Sequence, residues 1–437
     1  MSLPGSTPIS GANEKVLRNL LFLYFFLLLF EGALRKWLVP GLAGPLTIVR
    51  DPLALLIIGY YFLAGKRLLN QYTLTIILVG ILSFLFSLGT GHGNILIGIY
   101  GLRTLVLHFL LIFVFGTVLT RGDVEKIGRW LLLLAIPATI LVGLQFYSPQ
   151  SAWVNRGVGG DMEGSGFSGA MGYFRPAGLF SFTNGNTLFF ALIAAYVAYF
   201  WTNRQRCSKL LLIAATACVI IVIPLSISRT YVFHVVLTGL FLLLASVRST
   251  RSFLSMLIPL LCLPVIFFLL SQFEFMETAT EVLSTRFEQA AKSEGGTSGS
   301  IGSRIFGTMT EAITGGENGS VPLWGHGLGL GTNVGSVLLS GEKNFQIAEA
   351  EWPRIVGEMG PILGLIVLLL RTLLCAHVAF FSFRWLRRGN ALPFMLASFS
   401  LPLILVGGWA QPTNLGFFTL AAGLTIAAGH ISVRAGH

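Results

Sequence analysis

Three observations predict an all-α, polytopic membrane fold. The 437-residue chain is 54% hydrophobic and only 11% charged, whereas soluble domains carry about 25% charged residues. Its apolar residues fall in blocks of roughly 17–25, the length that takes a helix across a ~30 Å hydrocarbon core. The alternating strands of about ten residues that a membrane barrel needs are absent. In lipid the backbone must satisfy its own hydrogen bonds, so helices are the expected spans.

The blocks predict twelve spans within a single membrane domain, 1–437: residues 16–34, 43–65, 71–89, 94–119, 125–147, 179–201, 208–226, 229–247, 252–271, 355–382, 391–409 and 414–433. The first block is too long for a signal-peptide core, and no small-residue cleavage site follows it, so it reads as a retained helix. Alternate connections are basic: Lys66 and Arg67; Arg121, Lys126 and Arg129; Arg204, Arg206 and Lys209; Arg248 and Arg251; Arg384, Arg387 and Arg388. The positive-inside rule then puts both termini in the cytoplasm. The excess of 29 Lys and Arg over 18 Asp and Glu is therefore a topology signal. A nucleic-acid partner is not expected, because no contiguous basic stripe lies outside the bilayer.

Two outer connections are long. Residues 148–178 are rich in glycine and aromatics, and residues 272–351 form a large outer loop between helices 9 and 10. The stretch "EFMETATEVLSTRFEQAAKSEGG" predicts an amphipathic helix with Met276, Val282, Leu283 and Phe287 on or near one stripe. A short helix over Ser303 to Ile313 and the glycine-rich run "GHGLGLGTNVG" follow. A connection of this length is expected to be functional.

Several charges have no topological purpose: Arg35, Lys36, Arg50, Arg175, Arg229, Arg304 and Arg354, all at or near the outer face. An arginine in or beside a span is costly unless paired or facing water. Guanidinium groups bind phosphate oxygens in pairs, so several of them around one outer cavity would suit a diphosphate. Each has a plain reading too. Arg35 and Lys36 either snorkel or bind. Arg50 precedes Asp51 and reads first as a structural ion pair. Arg103 and His108, inside the fourth span, read as satisfying neighbouring helices, with a lining role as the alternative. Arg229 stands in a very short outer turn, where topology needs no charge.

The run "EAEWPRIVGEMGPILGLIVLLL" places Glu349, Glu351, Arg354 and Glu358 where the chain enters an apolar stretch. Arg354 and Glu358 are one helical turn apart, so an internal ion pair is one reading. Glu349 and Glu351 are placed for a base that meets water and a lipid-borne substrate together, with His326 as a third candidate. Only three aspartates occur (Asp51, Asp123, Asp161), and there is no D-x-D, phosphate loop or nucleophile elbow. No metal and no cofactor is expected. The four cysteines, Cys207, Cys218, Cys262 and Cys375, are too dispersed for a disulfide framework.

In order along the chain, Gln145 with "RPAGLFSFTN", "LSISRTYV" with Arg229, the outer loop with "SR" at Arg304 and "WGHGLGLG", and E-x-G-x-x-x-G at Glu358 form a pattern. Over roughly residues 95–430 it resembles the O-antigen ligase and O-antigen polymerase superfamily of bacterial envelope glycosyltransferases. The N-terminal "EGALRKW" resembles a polymerase-like subset of it. The resemblance implies a metal-independent, inverting glycosyltransferase in the bacterial inner membrane, with its active site on the periplasmic face. The donor would be an oligosaccharide linked through diphosphate to undecaprenol, and the acceptor another glycan or a glycolipid, as in lipopolysaccharide or exopolysaccharide assembly. A chain-length regulator and export proteins are the expected protein partners. By position, Arg229 and Arg304 would bind the diphosphate, with Arg175 and Arg354 next and Arg35 and Glu358 in support. Many relatives have a histidine followed by asparagine nine residues before the glutamate matching Glu358; here Glu349 and Ala350 stand there. That departure leaves Glu349, Glu351 and His326 as alternative bases. A lipid-linked glycan flippase or other transporter is the alternative function, since it too would hold a diphosphate with arginines. A scaffold subunit would not need them.

Overall fold

The computed structural model describes residues 11–247, 268, 272–293, 321–341, 347–348 and 350–430. Among the described residues the protein is mostly helical. The helices are α1 (Gly11–Ala33), α2 (Ala43–Leu46), α3 (Arg50–Leu63), α4 (Gln71–Gly89), α5 (Ile95–Leu102), α6 (His108–Val118), α7 (Arg121–Tyr147), α8 (Thr183–Thr202), α9 (Lys209–Leu225), α10 (Arg229–Ser246), α11 (Glu274–Ser293), α12 (Asn333–Ser340), α13 (Glu351–Arg387), α14 (Leu392–Val406) and α15 (Pro412–Ala427). Among the described residues the only sheet is a two-residue ribbon of β1 (Phe167–Ser168) and β2 (Phe174–Arg175), paired antiparallel.

Among the described residues, seven helical stretches are long and apolar enough to cross a membrane, and an eighth joins Pro40–Leu46 to Arg50–Leu63 across a 43° bend. Apolar helices of this length and number mark a membrane-embedded protein. The outward faces agree. On α4, Leu74, Leu78, Ile81, Leu82 and Leu85 are all exposed along one side, a stripe that lipid would cover. The sequence-predicted spans at 208–226, 391–409 and 414–433 appear as the shorter helices α9, α14 and α15. Helix 252–271 and the short helix at 303–313 fall outside the described residues, apart from Phe268.

At the centre is α8, whose "LFFALIAAYVAYF" is apolar all round and buried all round. A helix of that composition belongs inside a bundle. It packs against α7, α9, α10, α14 and α15. Around it, α15 lies on α6 and α14, and α13 lies on α14 and α4. The expected amphipathic helix is α11: Met276, Val282 and Leu283 are buried, and the helix packs on α9.

Local chemistry explains several boundaries. Asn70 and Thr73 form a reciprocal capping box at the start of α4, as Thr120 and Asp123 do at α7. Asn70→Ala should remove about 1 kcal/mol of stability, read as a lower thermal transition of the detergent-solubilised protein. Two segments are π-helical, Leu34–Leu38 and Arg103–Leu107, and both carry buried or part-buried cations. Such bulges frequently mark functional sites.

The largest departure from the expected architecture is α13. The sequence reading runs one span over 355–382. In the structure the helix breaks at Gly360 (φ 76°, ψ 168°), followed by Pro361, and its first part folds back on its second. The residues on either side show this. Glu351 and Arg371 are twenty positions apart, which a straight helix would separate by about 30 Å; yet their side chains meet at 3.0 Å. Arg371 therefore sits roughly 15 Å along the second arm, deep in the bundle.

Candidate functional site: a polar recess between two arginine clusters

The helix directions put the end of α1 and the starts of α3, α8, α10, α13 and α15 at one end of the bundle. The opposite end carries Lys15, Arg18, Arg121, Lys126, Arg129, Arg204, Arg206 and the Arg384–Arg388 cluster. The first end holds the candidate site, and it is built from two ionic clusters.

The first cluster surrounds the fold in α13. Glu351 accepts hydrogen bonds from Arg354 Nε (3.0 Å) and Nη2 (2.9 Å) and from Arg371 Nη1 (3.0 Å). Arg354 Nη1 also meets Glu358 Oε1 at 2.7 Å. The Glu358 carboxylate takes the backbone N–H groups of Gly329 (3.0 Å) and Gly331 (2.9 Å), which clamps the glycine-rich loop onto α13. The loop also uses its backbone: His326 N donates to Gly357 O and Gly327 N to Glu358 O. A side chain at Gly325 would strike the Glu358 carbonyl, and one at Gly360 would strike the Leu323 carbonyl. Backbone lies on backbone there, so only glycine fits.

Arg371 also explains why α14 is short. The last carbonyls of a helix have no partner within it. Arg371 donates to Ile404 O (2.9 Å) and Gly407 O (2.7 Å), and Trp352 Nε1 donates to Leu405 O (2.8 Å). The guanidinium also lies 4.2 Å from the centre of the Trp409 ring. A cation at a helix C-terminus is stabilised by the helix dipole. The α14–α15 connection, residues 407–411, is thus a sunken floor.

The second cluster joins α1, α3 and the π-helical segments. Glu31 receives Arg35 Nη1 (3.2 Å) and Arg50 Nε (3.0 Å). Arg35 reaches Ser181 Oγ (3.1 Å) and Ala43 O (2.8 Å), and Arg50 Nη2 reaches Pro412 O (2.7 Å). Lys36 is buried, with its ammonium on Gly178 O (2.7 Å). Asp51 pairs with Arg103 and with His108 Nε2, whose Nδ1 meets Tyr24 Oη at 2.8 Å. The expected Arg50–Asp51 pair is corrected here. Neighbours in a helix point about 100° apart, so Arg50 turns to Glu31 while Asp51 turns to Arg103 and His108. The neighbour-satisfying reading of Arg103 and His108 fits the geometry.

A polar floor connects the clusters. Asn184 and Asn414 both donate to Gln411 Oε1, at 3.2 and 3.1 Å. A Cβ built on Gly408 would lie 3.6 Å from Asn414 Nδ2 and 3.9 Å from Glu351 Oε2, so Asn414 and Glu351 border the same glycine. Asn414 Oδ1, Thr183 Oγ1 and Trp409 Nε1 are buried without a hydrogen-bond partner. Arg35 and Arg50 stand on one side of these groups and Arg354 and Arg371 on the other, each engaged by a carboxylate, and the unsatisfied amide, hydroxyl and indole groups between them are suited to a ligand rich in hydroxyls.

The structure brings together Arg35, Glu351, Arg354 and Glu358 around this recess. Arg229 stands at the start of α10, beside Ser228, whose Oγ meets Thr187 Oγ1 of α8 at 3.1 Å. Arg175 lies in β2, just before the turn that Gln145 holds through Gly178 N (2.7 Å). His326 is exposed on the glycine-rich loop, its backbone against the α4–α5 turn, and among the described residues its side chain joins none of the contacts of the carboxylate–arginine network. Glu349 and Arg304 lie outside the described residues. Sequence reasoning passes over Glu31 and Arg371, although an arginine inside "LIVLLLRTLLCAH" is itself a signal of a buried polar centre. Among the described residues no three His, Cys, Asp or Glu side chains gather as a metal centre requires. Comparison with known proteins returns no matching family model and no matching curated sequence.

Proposed function

We propose that the protein is a glycosyltransferase that moves a glycan from an undecaprenyl-diphosphate donor to an acceptor sugar at the periplasmic face of a bacterial inner membrane. On this reading it has about a dozen spans and both termini in the cytoplasm, and its product is an O-antigen-like or exopolysaccharide chain. The observation that carries the proposal is the set of unsatisfied hydrogen-bonding groups, Asn414 Oδ1, Thr183 Oγ1 and Trp409 Nε1, between the two arginine–carboxylate clusters, at the bundle end away from the basic connections. The sequence resemblance points to the same end.

The mechanism follows from charge. Breaking the bond from the anomeric carbon to the diphosphate leaves negative charge on the leaving group. Preorganised cations at that place lower the barrier. Arg229, Arg304 and Arg175 are assigned to the diphosphate. Arg354 is already shared by two carboxylates, so its part is to hold the wall. The base must take a proton from the acceptor hydroxyl. The Glu351 oxygens are already taken by Arg354 and Arg371, so this carboxylate is not placed to meet an acceptor hydroxyl. Its neighbour Glu349 is the assignment we favour.

The transporter reading also has an observation in its favour. A helix broken at Gly360 and folded back on itself is the kind of discontinuity that transporters place at their binding sites. Reconstitution separates the two. Purified protein in liposomes with a lipid-linked repeat unit should yield longer glycan; glycan moved across the bilayer without a new linkage would establish the rival. Within the enzyme reading, Arg229→Ala and Arg304→Ala should each abolish chain extension while membrane insertion stays normal. Full-length product from both variants would refute the arginine assignment.

A further inference from the structure

At the other end of the bundle, α1 and α7 diverge around a cavity of about 540 Å³, within the size range of small-molecule sites. Its chemistry is divided. The mouth carries two cations, Arg18 and Lys126, and the wall is aromatic, formed by Phe22, Phe26 and Trp130. The wall is rigid: Trp130 packs against Phe22 at 5.3 Å and against Phe26 at 5.1 Å between ring centres. Lys126 lies over it, 4.8 Å from the Trp130 ring and 5.4 Å from Phe22.

Asp123 does not cancel this charge. One of its oxygens closes the α7 cap, receiving Thr120 N (3.1 Å) and Thr120 Oγ1 (2.8 Å). Its other oxygen stands 3.9 Å from Arg18 Nη1, whose side chain is 39% exposed. The mouth thus keeps a net positive charge, at the end of the bundle where Arg121, Arg129 and Arg206 also gather. Below it, Leu23 is 47% exposed beside the aromatic wall.

We propose that this cavity binds an anionic glycerophospholipid, with its phosphate between Arg18 and Lys126 and an acyl chain along Phe22, Leu23 and Phe26. Basic pockets between membrane helices recognise such head groups. A soluble phosphate would meet the same cations but leave the aromatic wall uncovered, and a zwitterionic lipid would cover the wall but bring a cation to the mouth. The site is independent of the recess at the other end and does not rest on the proposed transfer reaction.

Trp130 reports on occupancy. The full chain in phosphatidylcholine nanodiscs is titrated with phosphatidylglycerol or phosphatidylcholine carrying brominated acyl chains. The Trp130 signal is the emission lost in Trp130→Phe. Each net surface cation favours an anionic lipid by about fivefold, so brominated phosphatidylglycerol should quench that signal at about fivefold lower mole fraction than brominated phosphatidylcholine. Arg18→Gln/Lys126→Gln should erase the difference, and both side chains are exposed enough to be replaced without unfolding the helices. Excess inorganic phosphate should not relieve the quenching. Equal quenching by the two lipids overturns the proposal. So does relief by phosphate, which would make the site one for a soluble anion. So does a Trp130 signal that neither lipid reaches, which would mean that protein, such as residues 1–10, fills the cavity.

Discussion

Arg371→Leu is expected to cost about 3–5 kcal/mol, the range seen when one partner of a buried ion pair is removed. The guanidinium is fully buried and makes contacts of three kinds. It neutralises Glu351, supplies the last carbonyls of α14 with donors, and stacks on Trp409. Leucine retains some apolar contact and none of the rest. Glu351 would keep Arg354, so the carboxylate is not left alone, but the C-terminus of α14 would have carbonyls buried without partners, each costing about 1–3 kcal/mol. Lysine is a useful comparison. It restores the charge but has one point of donation where the fork has several, so Arg371→Lys should fall between leucine and the parent. The measurement is the monodisperse fraction and the thermal transition in detergent. An Arg371→Leu protein that melts with the parent would show that the α14 end does not depend on this residue.

The same residue shows how much of the molecule the sequence reveals. The helical membrane class is legible because a block length and a charge bias are local properties. The amphipathic helix at 274–293 is legible for the same reason: of the expected stripe, Met276, Val282 and Leu283 are buried, with Ala279 beside them, and Phe287 is half-buried. What is not legible is where a helix stops short. The 391–409 block has the apolarity of a full span, but α14 ends at Val406, where Arg371 of another helix meets its last carbonyls. Nor can adjacency reveal partners. Arg50 and Asp51 are neighbours in the chain and belong to different ionic contacts, set by which helices lie on either side. The site is legible as a collection of outer arginines and acids. Its geometry is not: the pairing of Arg354 with Glu358 follows from their spacing in one helix, but the fold in α13 brings Arg371, twenty positions away, onto Glu351.

Gly360→Ala should break both the site and the hairpin that builds it. Alanine at φ 76° and ψ 168° occupies a region open essentially to glycine alone, at a cost of about 1–3 kcal/mol. Its Cβ would also collide with the carbonyl oxygen of Leu323, a backbone atom that cannot rotate away as a side chain would. Relief requires the 323–331 loop to lift or the two arms of α13 to open. Lifting the loop strips Glu358 of the Gly329 and Gly331 N–H groups; opening the arms separates Glu351 from Arg371. Gly389 is the control that isolates backbone strain from collision, since it too has a positive φ (88°) but nothing within 4 Å of an added Cβ. Gly389→Ala should lower the thermal transition modestly and leave the proposed glycan transfer intact. Gly360→Ala should lower it further and lose transfer as well. If the two variants prove indistinguishable in both measurements, the loop and the helix break do not interlock, and the recess must owe its shape to something other than this close approach of two backbones.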